Sequence, residues 1–420
     1  MFDLPGVPPT LIPINLGNNH PSPDPAAMAT AQTWRAVLYN SPANPLPTPW
    51  QWSAANRVNF ICHSQGGTTI RYLIELLTGT NTPDLPQFLG VNRQPWIKTV
   101  VTLGTPHKGT TVTDVDIFAS TGLDPLIDFI TSCSFQSRPE RIYDLHLDHW
   151  GFCRRPTDTD YQVMRARIAP VVRVWWIGRN NGLYDNSLRG AMDLALFAPL
   201  PSPHTYYFTM SFCATNEFPE DETLTAEEVN DFLRLFPGDN IINSGGVLGR
   251  IVAFAAPLVA RPLQRVGILP SLQAFLGWVT NVASNHLQGL GYNYRIPGPG
   301  TQIPRPDMLP AIAFPSYVMG GLNIPTGVNI NITSQSFRRN DGIVNTASMD
   351  GPDQTLINNG SFAAHFATPG AQGIHGRYWH MGENTTIDHA DQIGVFTNAT
   401  TLAEIKVMYL LFAELGDRLP

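Results

Sequence analysis

The run Cys62-His63-Ser64-Gln65-Gly66-Gly67 offers a serine hydroxyl in a setting suited to nucleophilic catalysis. A serine is a weak nucleophile until a base takes its proton, so the chemistry in view is acyl transfer, with a histidine as base and a carboxylate to orient it. Val58 to Cys62 reads as a short apolar strand, and Thr68 to Leu77 carries apolar residues at helical spacing. Strand, sharp turn and helix form the context of the nucleophile elbow, G-x-S-x-G. The turn is strained and crowded, so small residues are needed two positions before and after the serine. Cys62 stands where glycine or alanine is usual and tightens the turn, while Gly66 and Gly67 let the helix begin close to the strand. The first helical amides then face the place where negative charge develops. The plainer reading is a Ser-Gly turn beside a histidine. His63 itself reads as structural, because the base approaches such an elbow from a separate loop.

In α/β-hydrolase enzymes the acid and then the histidine follow the serine in the chain. Asp341 lies in a tight turn, Arg338 to Asn345 (RRNDGIVN), flanked by Gly342 and followed by apolar residues. His389 lies in a loop, Ile387 to Gly394 (IDHADQIG), after an expected strand from Arg377 to Met381. By pattern alone either is equally a surface turn. Asp350, Asp353, His375 and His380 are rivals that composition does not separate.

These residues need a scaffold, and the apolar runs supply one. Ile97 to Leu103 and Tyr206 to Phe212 read as further strands, separated by mostly helical or irregular sequence. Parallel strands with helical crossovers follow, giving an α/β class with a mostly parallel central sheet and helices on both faces. Residues 1 to 56 are rich in Pro, Asn and Ala, with one alternating run, Leu11 to Leu16, that fits an edge strand. Between Asn216 and Pro306, an acidic amphipathic piece (TAEEVNDFLRLF) precedes apolar stretches broken by single arginines and prolines. These read as cap or interfacial helices rather than membrane spans. Leu402 to Leu415 is an amphipathic C-terminal helix, and there is no internal repeat.

With 420 residues, 43% of them hydrophobic and 14% charged, the chain holds ample material for one large core and is not of a disordered class. One domain over 1 to 420 is expected, carrying an inserted helical cap at 216 to 306. The net charge of −7, without a Lys/Arg run, argues against a nucleic-acid partner. The 37 prolines and 35 glycines point to long ordered loops around the scaffold. Cys62, Cys133, Cys153 and Cys213 form no C-x-x-C pair, so neither a zinc ribbon nor a disulfide-dense scaffold fits, and at most one bridge, Cys133 to Cys153, is allowed. Sequons begin at Asn331, Asn359, Asn384 and Asn398, a number that chance supplies in a chain of this length. The opening MFDLPGVPPTLIPINLG lacks the basic start and unbroken apolar stretch of a signal peptide.

CHSQGGTTIRYLIELL, TLGTPHKGTT, LDHWGF, TYYFTMSF, NDGIVNTASMDGP and HMGENTTIDHADQIG occur in that order. Together they resemble the staphylococcal and thermoalkalophilic bacillus lipases and their fungal relatives, over roughly residues 57 to 215 and 307 to 415. The resemblance implies an α/β-hydrolase fold with Ser64 as nucleophile, Asp341 as the acid and His389 as the base. It also implies that the Gln65 backbone amide is one oxyanion-hole donor. The activity implied is hydrolysis of acylglycerols or other medium-to-long acyl esters, with a small-molecule or lipid ester as partner, transient lipid-interface contact and an extracellular setting. The same triad serves an acyltransferase or a hydrolase of a special ester, and a non-catalytic relative that only binds an apolar ligand is the alternative of a different class.

The chain departs from that family in three places. Its members have a first strand ending in His-Gly, followed by the second oxyanion donor. Here the nearest candidates are Leu16 and Gly17, about four dozen residues before Ser64. Two explanations stand: N-terminal strands lost to a misassigned start, or an oxyanion loop rebuilt from residues 11 to 18. The family's zinc ligands are not matched, since Asn180 takes the place of an aspartate, and the calcium site keeps Asp391 but meets Phe396 where a second acid belongs. No metal and no cofactor are expected. The stretch from Asn216 to Pro306 is much longer than the family's link. A cap over the acyl pocket, working with the lid-like Leu123 to Ile130 (LDPLIDFI), and a simple extension of the core are equally open readings.

Overall fold

The computed structural model describes residues 52–80, 89–114, 127–128, 130–131, 135, 152–179, 181–218, 300–305, 307–308, 310–322, 336–368, 375–394 and 397–420, and the backbone of 10–14 and 34–38. Strand β1 (Thr10–Ile14) pairs antiparallel with β2 (Trp34–Leu38) as a separate hairpin, which includes part of the alternating run near the start. The central sheet begins with β3 (Val58–His63), crosses through helix α1 (Gln65–Leu76), and continues with β4 (Ile97–Leu103). Helices α2 (Tyr161–Ile177), α3 (Gly182–Asn186) and α4 (Leu188–Phe197) lie in the crossover to β5 (Tyr206–Phe212).

After β5 come β6 (Thr215–Glu217), β7 (Gln302–Pro304) and α5 (Pro310–Gly321). The chain closes with β8 (Ile357–Asn359), α6 (Phe362–Ala367), β9 (Tyr378–Asn384) and α7 (Ala399–Arg418). The sheet order is β3-β4-β5-β9-β8, and every pairing is parallel. Strands buried on both faces read as continuous apolar runs, which is why β4 (IKTVVTL) and β5 (YYFTMSF) were legible.

Alternation along these strands splits the core in two. Val101, Leu103, Phe208 and Phe212 face α7, whose Ile405, Met408, Phe412 and Leu415 lie at helical spacing. Val100, Tyr207 and Tyr378 face α1 and its C-cap through Ile70, Leu73, Ile74 and Leu77. Each such side chain, taken fully from water, contributes about 1.5–3 kcal/mol. The Asn398 side chain starts α7 by accepting from the amides of Thr400 and Thr401.

A smaller cluster packs α2, through Met164, Ile168 and Val172, against Phe152, Ile127 and Ile130. Two apolar residues of the lid-like segment are therefore buried. β6 and β7 pair antiparallel, extended by bonds from Phe218 N to Thr301 O and from Arg305 N to Ala214 O, both 2.9 Å. Residues 214–218 and 301–305 are thus held side by side, and the helices expected within 216 to 306 fall at 219–299, outside the described residues. Cys62, Cys153 and Cys213 are free thiols, so the 133–153 bridge allowed by the spacing is not formed at Cys153.

Candidate active site

Ser64 sits between β3 and α1 with φ 54° and ψ −131°, and among the described residues it is the one non-glycine residue with positive φ. Such a conformation costs about 1–3 kcal/mol and persists only where the surroundings impose it. Ser64 N donates to Leu103 O (2.9 Å), and Ser64 O accepts from Thr105 Oγ1 (2.9 Å) and Gly67 N (3.1 Å). A Cβ on Gly67 would lie 2.3 Å from Thr105 Oγ1 and 2.9 Å from Thr102 Cγ2. One on Gly66 would lie 3.5 Å from the Cβ of Cys62, an ordinary contact, so Cys62 fits the elbow and the strict need for glycine falls at position 67. No side chain caps the start of α1. The first amides of a helix have no internal acceptor, which leaves Gln65 N available to an anion. The Gln65 side chain is held against Gly182, where an added Cβ would be 3.0 Å from Oε1.

Asp341 is fully buried on the NDG turn. Gly342 takes φ 111°, and a Cβ there would come within 2.7 Å of Ile312. On one side, Asn340 Oδ1 accepts from Ser316 Oγ (2.7 Å); on the other, Asn345 Oδ1 accepts from Thr111 N (2.8 Å). The Asp341 carboxylate accepts four bonds. Oδ1 takes Ile343 N (3.1 Å) and Val344 N (2.8 Å), and Oδ2 takes His389 Nδ1 and Gln392 Nε2, both at 2.7 Å. His389 Nε2 then lies 2.9 Å from Ser64 Oγ, and His389 N donates to Asp341 O at 2.9 Å. A carboxylate only accepts, so His389 carries its proton on Nδ1 and turns the Nε2 lone pair toward the serine. Asp388 Oδ1 shapes the loop by accepting from the amides of Ala390 (3.0 Å) and Asp391 (2.9 Å).

Ser64, Asp341 and His389 are thus brought together, and the rivals lie elsewhere. Asp350 is ion-paired with Lys108, and Asp353 caps a turn through Thr355 N. His375 lies against Tyr206 with the rings tilted and their centroids 3.9 Å apart, and His380 Nε2 meets Ser211 Oγ at 3.0 Å. Leu16 and Gly17 fall outside the described residues. Among those residues no three His, Cys, Asp or Glu side chains gather into a group able to hold a metal.

Of two further neighbours, Gln392 was not anticipated, and His63, read as structural, packs against the base. Gln392 follows His389 by three positions in a 3-10 turn, and no periodicity marks it. His63 has its ring centroid 4.5 Å from that of His389. Burial, and next the adjacent His389, push the His63 pKa down to about 4, so it stays neutral beside the base. A cavity of about 350 Å³ opens beside the first turns of α1, with Gln65, Thr68, Tyr72, Asp185 and Phe197 in its lining. Burial raises the Asp185 carboxyl to about 6.

The arrangement can take a proton from Ser64, hold the resulting imidazolium against a buried carboxylate, and present a helix N-terminus to a developing negative charge. A family model described as "Lipase-like, C-terminal domain" matches residues 48–246. Lipase 1 of Staphylococcus aureus (strain NCTC 8325 / PS 47) is 32% identical over 179 residues, which are 40% of this chain and 25% of that protein. The lipase of Staphylococcus epidermidis is 26% identical over 198 residues, 44% of this chain and 27% of the relative. The match therefore spans only about a quarter of these relatives' length. The structure of EstA from Clostridium botulinum is similar with a TM-score of 0.53 at 21% identity, over 91% of this chain and 68% of that one. Staphylococcus hyicus lipase is similar with a TM-score of 0.50 at 19% identity, over 90% and 74%. The fold is that of the α/β-hydrolases.

Proposed function

For a chain that is a relative of the staphylococcal lipases, we propose hydrolysis of carboxylic esters through an acyl-enzyme on Ser64. The observation that carries this reading is the pair of hydrogen bonds Ser64 Oγ to His389 Nε2 (2.9 Å) and His389 Nδ1 to Asp341 Oδ2 (2.7 Å). On this reading His389 removes the Ser64 proton as the hydroxyl attacks the ester carbonyl, and Asp341 stabilises the imidazolium. The same imidazolium gives its proton to the departing alcohol, and water repeats the sequence to free the acid. The Gln65 amide holds the oxyanion, with Leu16 or Gly17 as the proposed second donor. The strained backbone at Ser64, kept by a non-glycine residue, supports a nucleophile there.

The substrates proposed are acylglycerols or other medium-to-long acyl esters, met at a lipid surface. The insertion at 216 to 306 and Leu123 to Ile130 are proposed as the cover of the acyl site. Hydrolysis of nitrophenyl esters of graded acyl length by the full chain and by Ser64→Ala tests the reading. Turnover that falls to background in the variant supports it, and equal turnover in both proteins removes it.

A further inference from the structure

Gln392 touches the Ser64, His389 and Asp341 line, yet the hydrolysis described above gives it no part. It is fully buried and donates from Nε2 to Asp341 Oδ2 at 2.7 Å, the same oxygen that receives His389 Nδ1. Because the carboxylate only accepts, this contact sets the orientation of the amide and turns Oε1 away from Asp341. Oε1 runs beside Gly104, where an added Cβ would come within 2.2 Å of it. Glycine at 104, with φ 57°, is thus what makes room for the amide. Gln392 Oε1 and His63 Nε2 are each buried without a hydrogen-bond partner among the described residues.

We propose that Gln392 is a positioning residue for the ester hydrolysis: it clamps Asp341 from the side opposite the backbone amides of Ile343 and Val344. This rests on the proposed function. The physical effect is a division of charge. With the Gln392 donor in place, His389 shares the negative charge of Oδ2, and without it His389 is the sole partner of that oxygen. The imidazolium is then held more tightly, the base becomes harder to deprotonate, and the carboxylate loses one of its four restraints.

The test compares the full chain with Gln392→Leu and Gln392→Glu on a soluble nitrophenyl ester across pH 5 to 9, with thermal unfolding alongside. Gln392→Leu is expected to unfold cooperatively and keep KM within about threefold while kcat falls about 10- to 100-fold. The acid limb of its kcat/KM profile should move to higher pH. In Gln392→Glu the new carboxyl, buried beside Asp341, keeps its proton and donates to Oδ2, so most of kcat returns at low pH and is lost as that proton leaves. If wild type hydrolyses the ester and Gln392→Leu shows the same kcat and the same acid limb, the positioning role is overturned and the proposed function stands. If both variants lose stability and KM together with no movement of the limb, Gln392 only fills space and the role is likewise overturned. A wild type with no hydrolysis at any pH overturns the proposed function and this inference with it.

Discussion

Asp341→Asn is the substitution whose consequences the site specifies most fully. The carboxylate accepts four hydrogen bonds, two from backbone amides and two from His389 Nδ1 and Gln392 Nε2. Asparagine keeps one oxygen. If that oxygen stays on the amides of Ile343 and Val344, the new NH2 group faces His389 Nδ1. The imidazole answers by moving its proton to Nε2, where it points at Ser64 Oγ across 2.9 Å and no longer accepts from it. Gln392 can turn its amide over and accept the other new N–H, so the fold has a way to stay satisfied. Stability should therefore fall by only about 1–3 kcal/mol. Turnover should fall about 10⁴-fold, the loss expected when a triad histidine is held in the wrong tautomer. That corresponds to about 5 kcal/mol of barrier. The assay is kcat for a soluble ester, paired with thermal unfolding of the same preparations. A folded variant that retains more than about a tenth of wild-type kcat would refute the tautomer argument.

Gly67→Ala places a methyl 2.3 Å from Thr105 Oγ1, and because Thr105 holds Ser64 O, the elbow must shift. A loss of about 1–3 kcal/mol is expected, with kcat falling more than KM rises, whereas Gly66→Ala, which meets Cys62 at 3.5 Å, should be milder on both measures. Asp185 has its carboxyl raised to about 6 by burial, so the folded state holds a proton between the usual carboxylate range and pH 6, and stability from this group falls as pH rises through that window. Asp185→Asn should accordingly stabilise the fold at pH 7.5 by about 1 kcal/mol after solvent screening, read as a higher melting temperature, and the gain should shrink as pH drops below 6. No gain at pH 7.5 would count against the burial argument. His365 is buried between Phe208 and Trp379, and neither ring nitrogen has a hydrogen-bond partner among the described residues. His365→Leu should stabilise the protein by about 1–2 kcal/mol, read as a shift in urea midpoint at unchanged slope.

β3, β4 and β5 were legible because a parallel strand buried on both faces must be apolar along its length, and α7 because its apolar residues recur at helical spacing. β8, with the sequence INN, gave no such signal, since an edge strand of three residues needs little burial. α5 was hidden by Pro315 inside it. The elbow could be read from residue sizes and its strand–helix setting, but Cys62 does not tighten the turn, since a Cβ on Gly66 would meet it at an ordinary 3.5 Å, and the crowded position is Gly67. Asp341 and His389 could not be separated from their rivals by pattern, because convergence across 325 residues of sequence separation leaves no local trace, and the choice of these two rested on the resemblance of the ordered motifs to those of the lipases. Gln392, and the packing of the structural His63 against His389, were missed for a related reason. An amide in a polar loop and a histidine at a strand end acquire their meaning only from what the fold sets beside them.

The central claim is that Ser64 is activated by His389, and covalent capture tests it most directly. Incubating the full chain with a fluorophosphonate and mapping the adduct by mass spectrometry should give one modified residue, Ser64. Labelling should be lost in Ser64→Ala and strongly slowed in His389→Ala with the protein still folded. A wild-type protein that hydrolyses esters yet stays unlabelled at Ser64, or labels there at the same rate without His389, would contradict it.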